Sequence, residues 1–335
     1  MNRFLKILLV AVAVAAATAA AARPAEAQLN GENLLGDMGV KSGSQPAPGF
    51  YAGYLFYRYH TDTVRDSRGN ELTFDPGGNQ SINASVPLVV YVSKVKLFGG
   101  NLGMMGVLPI ANGSLEAPSL GLYEDASTGL SDAYIMPFQL GWHRRRADIT
   151  TGFAVFMPNG RYEAEASDNL GKGMWSYELS AGTTVYADQA RSISVAAMAY
   201  WETHTRKAGT QKALAGPITL SGVRPGQLLT IEGGAAKSFL HGAAHLGMAY
   251  YGQWKLTADD LGGQAYTPDG VRLAKHRVYG IGPDLSFPIA TRTRLISVVN
   301  VRYLIETGSR MKTEGSSLMV TTTMPLPLVT LGAGK

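Results

Sequence analysis

The sequence lacks cysteine, has few charged residues and, beyond its first segment, contains no long apolar run. The 335 residues include Cys 0, which excludes disulfides, a lipidated N-terminal cysteine and any thiolate chemistry or thiolate metal site. After residue 27, no window approaches the ~18 to 20 consecutive apolar residues of a membrane-spanning helix. Only a closed β-barrel could then cross a bilayer, because every backbone N–H and C=O must be paired there.

Charge is also too balanced for a nucleic-acid-binding protein. The formal net charge is +5, from Lys+Arg 30 and Asp+Glu 25. Three of the basic residues and one of the acidic residues precede residue 28, which leaves 27 basic against 24 acidic residues, or +3. Phosphate recognition needs a larger positive excess, so we expect no nucleic-acid partner. Gly 40 and Tyr 16 are typical of a turn-rich β protein.

The first 27 residues have the pattern of a signal peptide. Arg3 and Lys6 form a charged n-region, the run ILLVAVAVAAATAAAA an apolar h-region, and AEA at residues 25–27 a small-residue cleavage site. We therefore expect export and a mature chain that begins at Gln28, with cleavage after Ala22 as the alternative.

Alternation at period 2 predicts β-strands in the remaining chain. One clear example has two faces, an apolar one with Ile193, Val195, Ala197, Ala199 and Trp201 and a polar one with Ser192, Ser194, Glu202 and His204. The segments of this kind are 50–61, 82–95, 101–111, 131–143, 147–158, 174–187, 191–205, 227–238, 242–257, 275–287, 293–306 and 316–326. They exceed the ~9 to 11 residues that a tilted strand needs to cross a membrane, whereas soluble strands average ~5 to 6 residues.

The connections between these segments alternate between short and long. KLFGG, RRR, DQA, LHG and PIATR are short, and the intervening connections are long and polar. This rhythm is typical of outer-membrane barrels, with short periplasmic turns, long extracellular loops and an even strand number. We predict an all-β fold, a single closed antiparallel transmembrane β-barrel of about twelve strands over residues 50–335. Residues 28–49 before it form either a periplasmic tail or a plug inside the lumen.

The same alternation sorts side chains between lipid and lumen. The four tryptophans fall near strand ends on the apolar face and are candidates for an aromatic girdle: Trp142, Trp175, Trp201 and Trp254. The polar face predicts a charged lumen with these candidate lining residues: Arg58, Glu178, Glu202, His204, Glu232, His245, Lys255, Asp284, Arg302 and Glu306. Such charges serve either as a conduction path or as a salt-bridged interior that keeps the barrel rigid.

Metal binding and catalysis have weaker support. His241 and His245 are four residues apart, a spacing that joins two ligands on a helix but separates them by roughly 13 Å on a strand, so we expect no metal and no cofactor. A hydrolase would need a serine beside a histidine near the rim. His204 has only Thr203 and Thr205 as sequence neighbours, and these point to the opposite face. A serine contributed by an adjacent strand is an alternative that the sequence leaves open. We expect no enzyme activity.

Two prolines inside predicted strands, Pro137 and Pro283, mark places where the ladder of hydrogen bonds could break. If a hydrophobic molecule enters from outside, it could leave sideways through the wall at such a point.

Two stretches resemble a known family. ENLLGDMGVKSGSQPAPGFYAGYLFYRY, and FAVFMPNGRYEAEASDNLGKGMWSYELSAGTTVY with its acidic loop, are similar to the meta-pathway phenol-degradation family of outer-membrane transporters, including SphA-like members. The resemblance implies an outer-membrane β-barrel that takes up aromatic or other hydrophobic compounds, and it brings no catalytic residue. One departure is the C-terminus, where family-like barrels commonly end on an aromatic residue and this chain ends PLPLVTLGAGK.

We therefore expect an outer-membrane channel or transporter for passive uptake of small molecules, with hydrophobic or aromatic compounds favoured by the resemblance. The alternative is a structural or ligand-binding barrel with a closed lumen. The expected partners are outer-membrane lipid and lipopolysaccharide, the barrel-assembly machinery and a small-molecule substrate.

Overall fold

The structure, a computed structural model, describes residues 32–73, 77–117, 122–164, 166–212, 219–240, 244–262, 275–327 and 329–330. Within these ranges the only helix is a single 3-10 turn, Gly39–Lys41. No helix in this part of the chain is long and apolar enough to cross a membrane. The predicted signal peptide, residues 1–27, lies outside the described residues.

The strands follow one another with few interruptions. In chain order they are β1 (Gly49–Thr61), β2 (Val64–Arg65), β3 (Asn79–Leu97), β4 (Gly100–Val107), β5 (Ile110–Ala117), β6 (Leu122–Leu130), β7 (Ala133–His143), β8 (Ala147–Met157), β9 (Ser176–Tyr186), β10 (Ile193–His204), β11 (Thr210–Lys212), β12 (Thr219–Ser221), β13 (Leu228–Phe239), β14 (Ala244–Lys255), β15 (Arg277–Ala290), β16 (Arg294–Arg310), β17 (Lys312–Thr313), β18 (Ser316–Leu326) and β19 (Val329–Thr330).

Twelve strand positions close into an antiparallel barrel, which confirms the predicted fold class. Around the wall the order is β1, β3, β4, β7, β8, β9, β10, β13, β14, β15, β16 and β18. β1 seals the sheet, because it pairs with β3 on one side and with β18 on the other. A closed sheet has no free edge, so each wall strand is paired on both sides.

The predicted strands match the wall closely, but the elements beyond the twelve wall strands were missed: the short strands β2, β11, β12, β17 and β19 and the hairpin of β5 and β6. β5 and β6 pair with each other and prolong the wall at the long-loop end, where β5 also pairs with the upper half of β3. Their sequence carries Glu116, Glu124 and Asp125 and shows no apolar face. Both faces of this hairpin meet water rather than lipid, so the alternation that reveals a membrane strand is absent.

The outer face of the wall is apolar. Outward side chains from several strands are large and exposed, with Val195 57%, Leu246 59% and Ile281 52% accessible. On the same strands the inward neighbours are buried, including Ala196, His245 and Gly282. A continuous exposed apolar belt of this kind is stable only against lipid.

Residues 32–48, here called the luminal segment, lie inside the barrel. Near one end, the backbone N–H of Glu32 donates to the carboxylate of Glu202, at the extracellular end of β10. Near the other, the hydroxyl of Ser44 donates to Asp148, beside the short turn between β7 and β8. The segment therefore runs down the length of the lumen before the chain turns back into β1.

Candidate functional site: the lumen and its internal segment

Halfway along the lumen, a buried ion pair of the wall binds the luminal segment through hydrogen bonds to its backbone. Asp284 of β15 accepts from Arg302 of β16 at 3.0 Å from Nε and 2.9 Å from Nη2. Arg302 Nη1 also donates to the backbone oxygens of Gly36 and Asp37 at 2.5 and 2.7 Å. The backbone N–H of Val40 donates back to Asp284 at 3.1 Å. Because each charge has several partners, the cost of burying the pair is offset.

A second carboxylate, two strands away from Asp284 in the wall, holds the same stretch. Glu232 of β13 is fully buried and accepts the backbone N–H groups of Gly36 at 2.7 Å and Met38 at 3.1 Å. These amides belong to irregular backbone that has no partner of its own, and a buried N–H left unpaired is costly. The wall therefore supplies to the segment the hydrogen bonds that a strand or helix would supply internally.

Besides the contact of Ser44 with Asp148, the lower end of the segment is held by uncharged groups. Thr184 of β9 donates to the carbonyl of Ser42 at 2.5 Å, and the Ser44 hydroxyl lies 2.9 Å from Thr184 Oγ1. Gln45 Nε2 donates to Gln139 Oε1 of β7 at 3.0 Å. This end thus adds specific hydrogen bonds that fix the register of the segment in the lumen.

Two glycines allow the segment to approach the wall. Gly39 has φ +52°, and a Cβ there would collide with the Arg302 guanidinium and the Asp284 carboxylate. Gly43 has φ +82°, and its Cβ would collide with the backbone of Thr183. Only glycine combines this conformation with this proximity.

Part of the lumen is apolar rather than charged. A buried patch on β1, β3, β14, β15, β16 and β18 is formed by Leu55, Val86, Ala249, Tyr251, Val278, Leu304 and Met319, here called the upper apolar patch. Leu34 and Leu35 of the luminal segment pack against it. A second cluster, here called the second apolar patch, contains Tyr134, Met136, Ala154 and Phe156. Val107 packs against both patches and connects them.

Nine of the ten predicted lumen residues lie on the inner face, and each of the nine makes a hydrogen bond or an ion pair there. Glu306 accepts from Tyr251 at 2.7 Å and Tyr59 at 2.8 Å. His245 lies 2.9 Å from Asp284 and 2.7 Å from Ser286. Lys255 pairs with Asp259 at 2.6 Å. Glu202, Glu232, Asp284 and Arg302 hold the luminal segment as described above, and His204 contacts Ser176. The ninth, Glu178, accepts from Tyr134 at 3.2 Å.

The prediction for Arg58 is wrong, because this side chain is exposed on the outer face. Its strand β1 turns Leu55, Tyr57 and Tyr59 inward. The alternation assigns a tyrosine ring to the lipid side, but the hydroxyl of an inward tyrosine can donate to a luminal carboxylate. On β1 the sequence pattern therefore assigns these side chains to the wrong face. Arg58 lies near the long-loop end of β1, where a long cationic side chain can reach the aqueous interface.

The four tryptophans lie on the outer face near strand ends. Trp142 pairs across the wall with the outward Ile149, and Trp201 with the outward Leu179. Trp175 precedes β9 and is 44% exposed, and Trp254 contacts Tyr279 through its indole N–H at 3.3 Å. Trp142 is at the short-turn end and the other three are at the long-loop end, so both interfaces carry an aromatic ring.

The structure places a serine beside His204, the neighbour that the hydrolase alternative requires. Ser176 of β9 lies directly across from His204, with Oγ 2.8 Å from Nδ1. The other ring nitrogen, Nε2, has no hydrogen-bond partner among the described residues, so no third group orients the histidine as a triad requires. His241 lies outside the described residues, and within the described part no three His, Asp or Glu side chains are arranged for a metal.

The two strand prolines differ in their surroundings. At Pro283 the register is kept, because Met248 lies opposite it on β14 and no register shift occurs against β16, although the ladder to β16 skips Gly282 and Pro283. At Pro137 both ladders shift, between Gly103 and Met105 of β4 and between Ile135 and Phe138 of β7. The register is therefore unchanged at Pro283, whereas the wall carries a bulge at Pro137.

Sequence reasoning missed the residues that receive the luminal segment without carrying an obvious luminal charge. Examples are Lys172, Ser176 and Thr184, which contact Glu32 and Ser42. Lys172 precedes β9 in a long loop, where no alternation exists to assign it to the lumen. Which wall residue meets which segment residue depends on contacts more than 100 positions apart in the chain.

The fold and the lumen define a class: a twelve-stranded outer-membrane barrel whose lumen is occupied by its own N-terminal segment. Residues 61–322 match the family described as "Putative MetA-pathway of phenol degradation", and the chain belongs to that family.

One solved structure agrees with the barrel at the level of fold. The COG4313 outer membrane channel from Pseudomonas putida F1 superimposes with a TM-score of 0.70 at 12% identity, over 89% of this chain and 100% of that channel. The β domain of the Bordetella autotransporter BrkA, with 9% identity over 83% of this chain and 100% of its own, has a TM-score of only 0.45. A FadL homologue from Pseudomonas aeruginosa, with 10% identity over 83% of this chain and 90% of its own, reaches 0.38. No curated protein sequence matches the chain.

Proposed function

We propose that this protein is an outer-membrane channel for passive uptake of small hydrophobic or aromatic molecules, and that the luminal segment closes it at rest. The observation that carries this proposal is the upper apolar patch beneath Leu34 and Leu35. Exposing apolar surface to water costs about 25 cal/mol per Å², so such a patch would be unfavourable in a water-filled channel. A substrate with a small apolar body can take the place of the two leucines.

A route follows from the connection of the two patches through Val107. The second apolar patch includes Met136, the inward neighbour of the bulged Pro137. A hydrophobic molecule that reaches this point is beside the place where the ladders shift, and a bulge locally weakens strand pairing. The proposed exit is therefore sideways into the membrane at Pro137, which avoids the hydrated periplasmic end of the lumen.

Leu304→Asn tests the apolar route with little change in side-chain volume. We expect slower uptake of a fluorescent naphthylamine dye by cells that express the variant, because an amide in the upper apolar patch opposes an apolar ligand. Thr230→Val is the matched control, since Thr230 is buried in β13 on the polar side of the lumen, and it should leave dye uptake unchanged. Equal dye uptake by wild type, Leu304→Asn and cells without the protein would contradict the proposal.

A closed structural barrel is the second candidate, and the dense hydrogen bonding between wall and segment favours it. Such a barrel would let neither dye nor small sugars pass under any condition. Swelling of proteoliposomes in a sugar solution, measured beside the dye assay, separates the candidates: uptake of dye alone supports the hydrophobic channel, and silence in both supports the closed barrel.

Export by a cleaved signal peptide is also part of the proposal. The supporting pattern is the charged, apolar and small-residue order of residues 1–27. N-terminal sequencing of protein recovered from outer membranes should begin at Gln28, and a sequence that begins at Met1 would contradict cleavage.

A further inference from the structure

The side chain of Glu32 is held at the extracellular end of the lumen as a bound carboxylate ligand would be. Its Oε1 accepts from the Ser176 hydroxyl at 3.0 Å, and its Oε2 pairs with the Lys172 ammonium at 3.2 Å. Only 5% of the Glu32 side chain is accessible. The group thus occupies a formed pocket, although it belongs to a segment outside the barrel wall.

Buried polar atoms around this pocket lack partners. His204 is 6% exposed, and its Nε2 has no hydrogen-bond partner among the described residues. The Nδ2 amide of Asn33 is likewise buried without a partner in the described part of the chain. Buried polar atoms without partners are uncommon in native proteins and call for an explanation.

Lysines lie near this pocket together with carboxylates. Lys207 is 5% exposed and lies over the ring of Tyr162, with Nζ 5.9 Å from the ring centroid. Burial lowers the pKa of Lys207 to about 8, and the nearby Lys172 acts in the same direction, whereas Glu32, Asp259 and Asp132 oppose this shift. If the segment withdraws, Glu32 leaves with it, and the Lys172 ammonium loses the carboxylate of Glu32.

Glu202 adds a second requirement. This carboxylate accepts the backbone N–H of Glu32 at 2.7 Å, so a ligand with nothing but a carboxylate would meet a like charge there. A ligand that replaces Glu32 must therefore also offer a hydrogen-bond donor to Glu202. In meta-hydroxybenzoate, the hydroxyl oxygen and the carboxyl carbon are separated by the same number of covalent bonds as the amide nitrogen and carboxyl carbon of Glu32.

We propose that Lys172, Ser176 and Glu202 form a binding site for small carboxylates that carry a hydrogen-bond donor, and that Glu32 occupies this site at rest. The proposal rests on the channel function proposed above and narrows its substrates to hydroxylated aromatic acids and similar amphipathic molecules. Arrival of such a ligand competes with Glu32 and so releases the extracellular end of the luminal segment.

The test is calorimetric titration of the full-length mature protein in detergent with meta-hydroxybenzoate and, as the uncharged analogue, meta-hydroxybenzyl alcohol. Glu32→Gln keeps the shape and backbone of the segment but weakens the internal competitor, so affinity for the acid should rise by about tenfold. Lys172→Met, made in the Glu32→Gln protein, should abolish that gain. Lys96→Met, on the exposed short-turn end of β3, is the matched control and should change nothing.

Correct assembly of each variant is checked by its migration as a folded barrel on unheated gels. Equal affinity for acid and alcohol in the Glu32→Gln protein would overturn the carboxylate site, and so would binding of the acid that survives Lys172→Met. This outcome is distinct from failure of the channel function, in which the naphthylamine dye does not enter cells whatever the acid does in the titration.

Discussion

At the scale of single residues, neighbouring positions of one strand meet different solvents. Ala197 of β10 faces outward, and Ala196 beside it is 1% exposed and faces the lumen. We predict that Ala197→Arg destabilises the barrel by about 2–4 kcal/mol, because it places a cation against mid-membrane lipid. Thr203→Arg lies on the same face of the same strand, beyond Trp201, and should cost only about 0–1 kcal/mol at the interface.

The measurement is the free energy of unfolding in a denaturant titration after refolding into bilayers. Equal losses for Ala197→Arg and Thr203→Arg would mean that this face of β10 does not meet lipid in a depth-dependent way.

Ala196→Arg, the control that the alternation of β10 suggests, is not suitable in this structure. An arginine at Ala196 would be well tolerated if the lumen were open and wet. However, Ala196 pairs with Gly234, and Val40 of the luminal segment lies directly against Gly234. A large side chain at Ala196 would overpack this layer, at a cost of about 1–3 kcal/mol, so it does not report on the direction of the face.

Glu232 gives a second prediction at this scale. Glu232→Gln replaces one of the carboxylate oxygens that accept Gly36 and Met38 with an amide donor, so it should weaken docking of the segment by about 1–3 kcal/mol. Hydrogen–deuterium exchange should become faster over residues 32–45 while the wall strands stay protected. Glu306→Gln is the matched control, because its recorded partners are Tyr59, Tyr251 and Gly315 and none is in the segment. Faster segment exchange in both variants would show that the effect is not specific to docking.

At the scale of elements, the luminal segment is the only described part of the barrel interior that is not also wall. Its last residues, 46–48, lead into β1, so withdrawal of the rest of the segment means a swing about them. The absence of cysteine allows the swing to be blocked cleanly. We predict that an oxidised disulfide formed by Ser44→Cys with Thr184→Cys, whose hydroxyls are 2.9 Å apart, stops dye uptake, and that reduction restores it.

Ser81→Cys with Ser114→Cys is the control pair. These hydroxyls are 2.8 Å apart and join β3 to β5 within the wall, so oxidation should leave uptake unchanged. Uptake that continues through the oxidised Ser44 and Thr184 pair would show that the segment does not have to move.

Among the other elements, sequence predicted the strands that cross the membrane and missed those that do not, of which the hairpin of β5 and β6 is the largest. The alternation of β10 or β14 exists because lipid lies on one side and a packed lumen on the other. β5 and β6 stand beyond the membrane in water, so no such contrast marks them. Within the membrane strands, the alternation assigned Arg58 to the wrong face, because the tyrosines of β1 are compatible with either lipid or the lumen.

At the scale of the whole molecule, the barrel and the segment together determine conductance. We predict that the refolded mature protein conducts poorly in a planar bilayer, because the segment crosses the lumen between the levels of Glu202 and Asp148. Deletion of residues 28–45 should give steady conductance in single-channel recordings. An intact protein that conducts as well as the deletion variant would show that ions pass beside the segment.

The sequence by itself determined the strands, their number, the two faces and the rhythm of turns and loops. These features depend on the alternation and composition within each segment, and they require no contact with distant parts of the chain. Only the tertiary structure decided what the luminal charges do. Closure brings Asp284, Arg302 and Glu232 around residues 36–40, and the same closure places Glu32 between Lys172 and Ser176. These contacts join distant parts of the chain, so no local pattern encodes them.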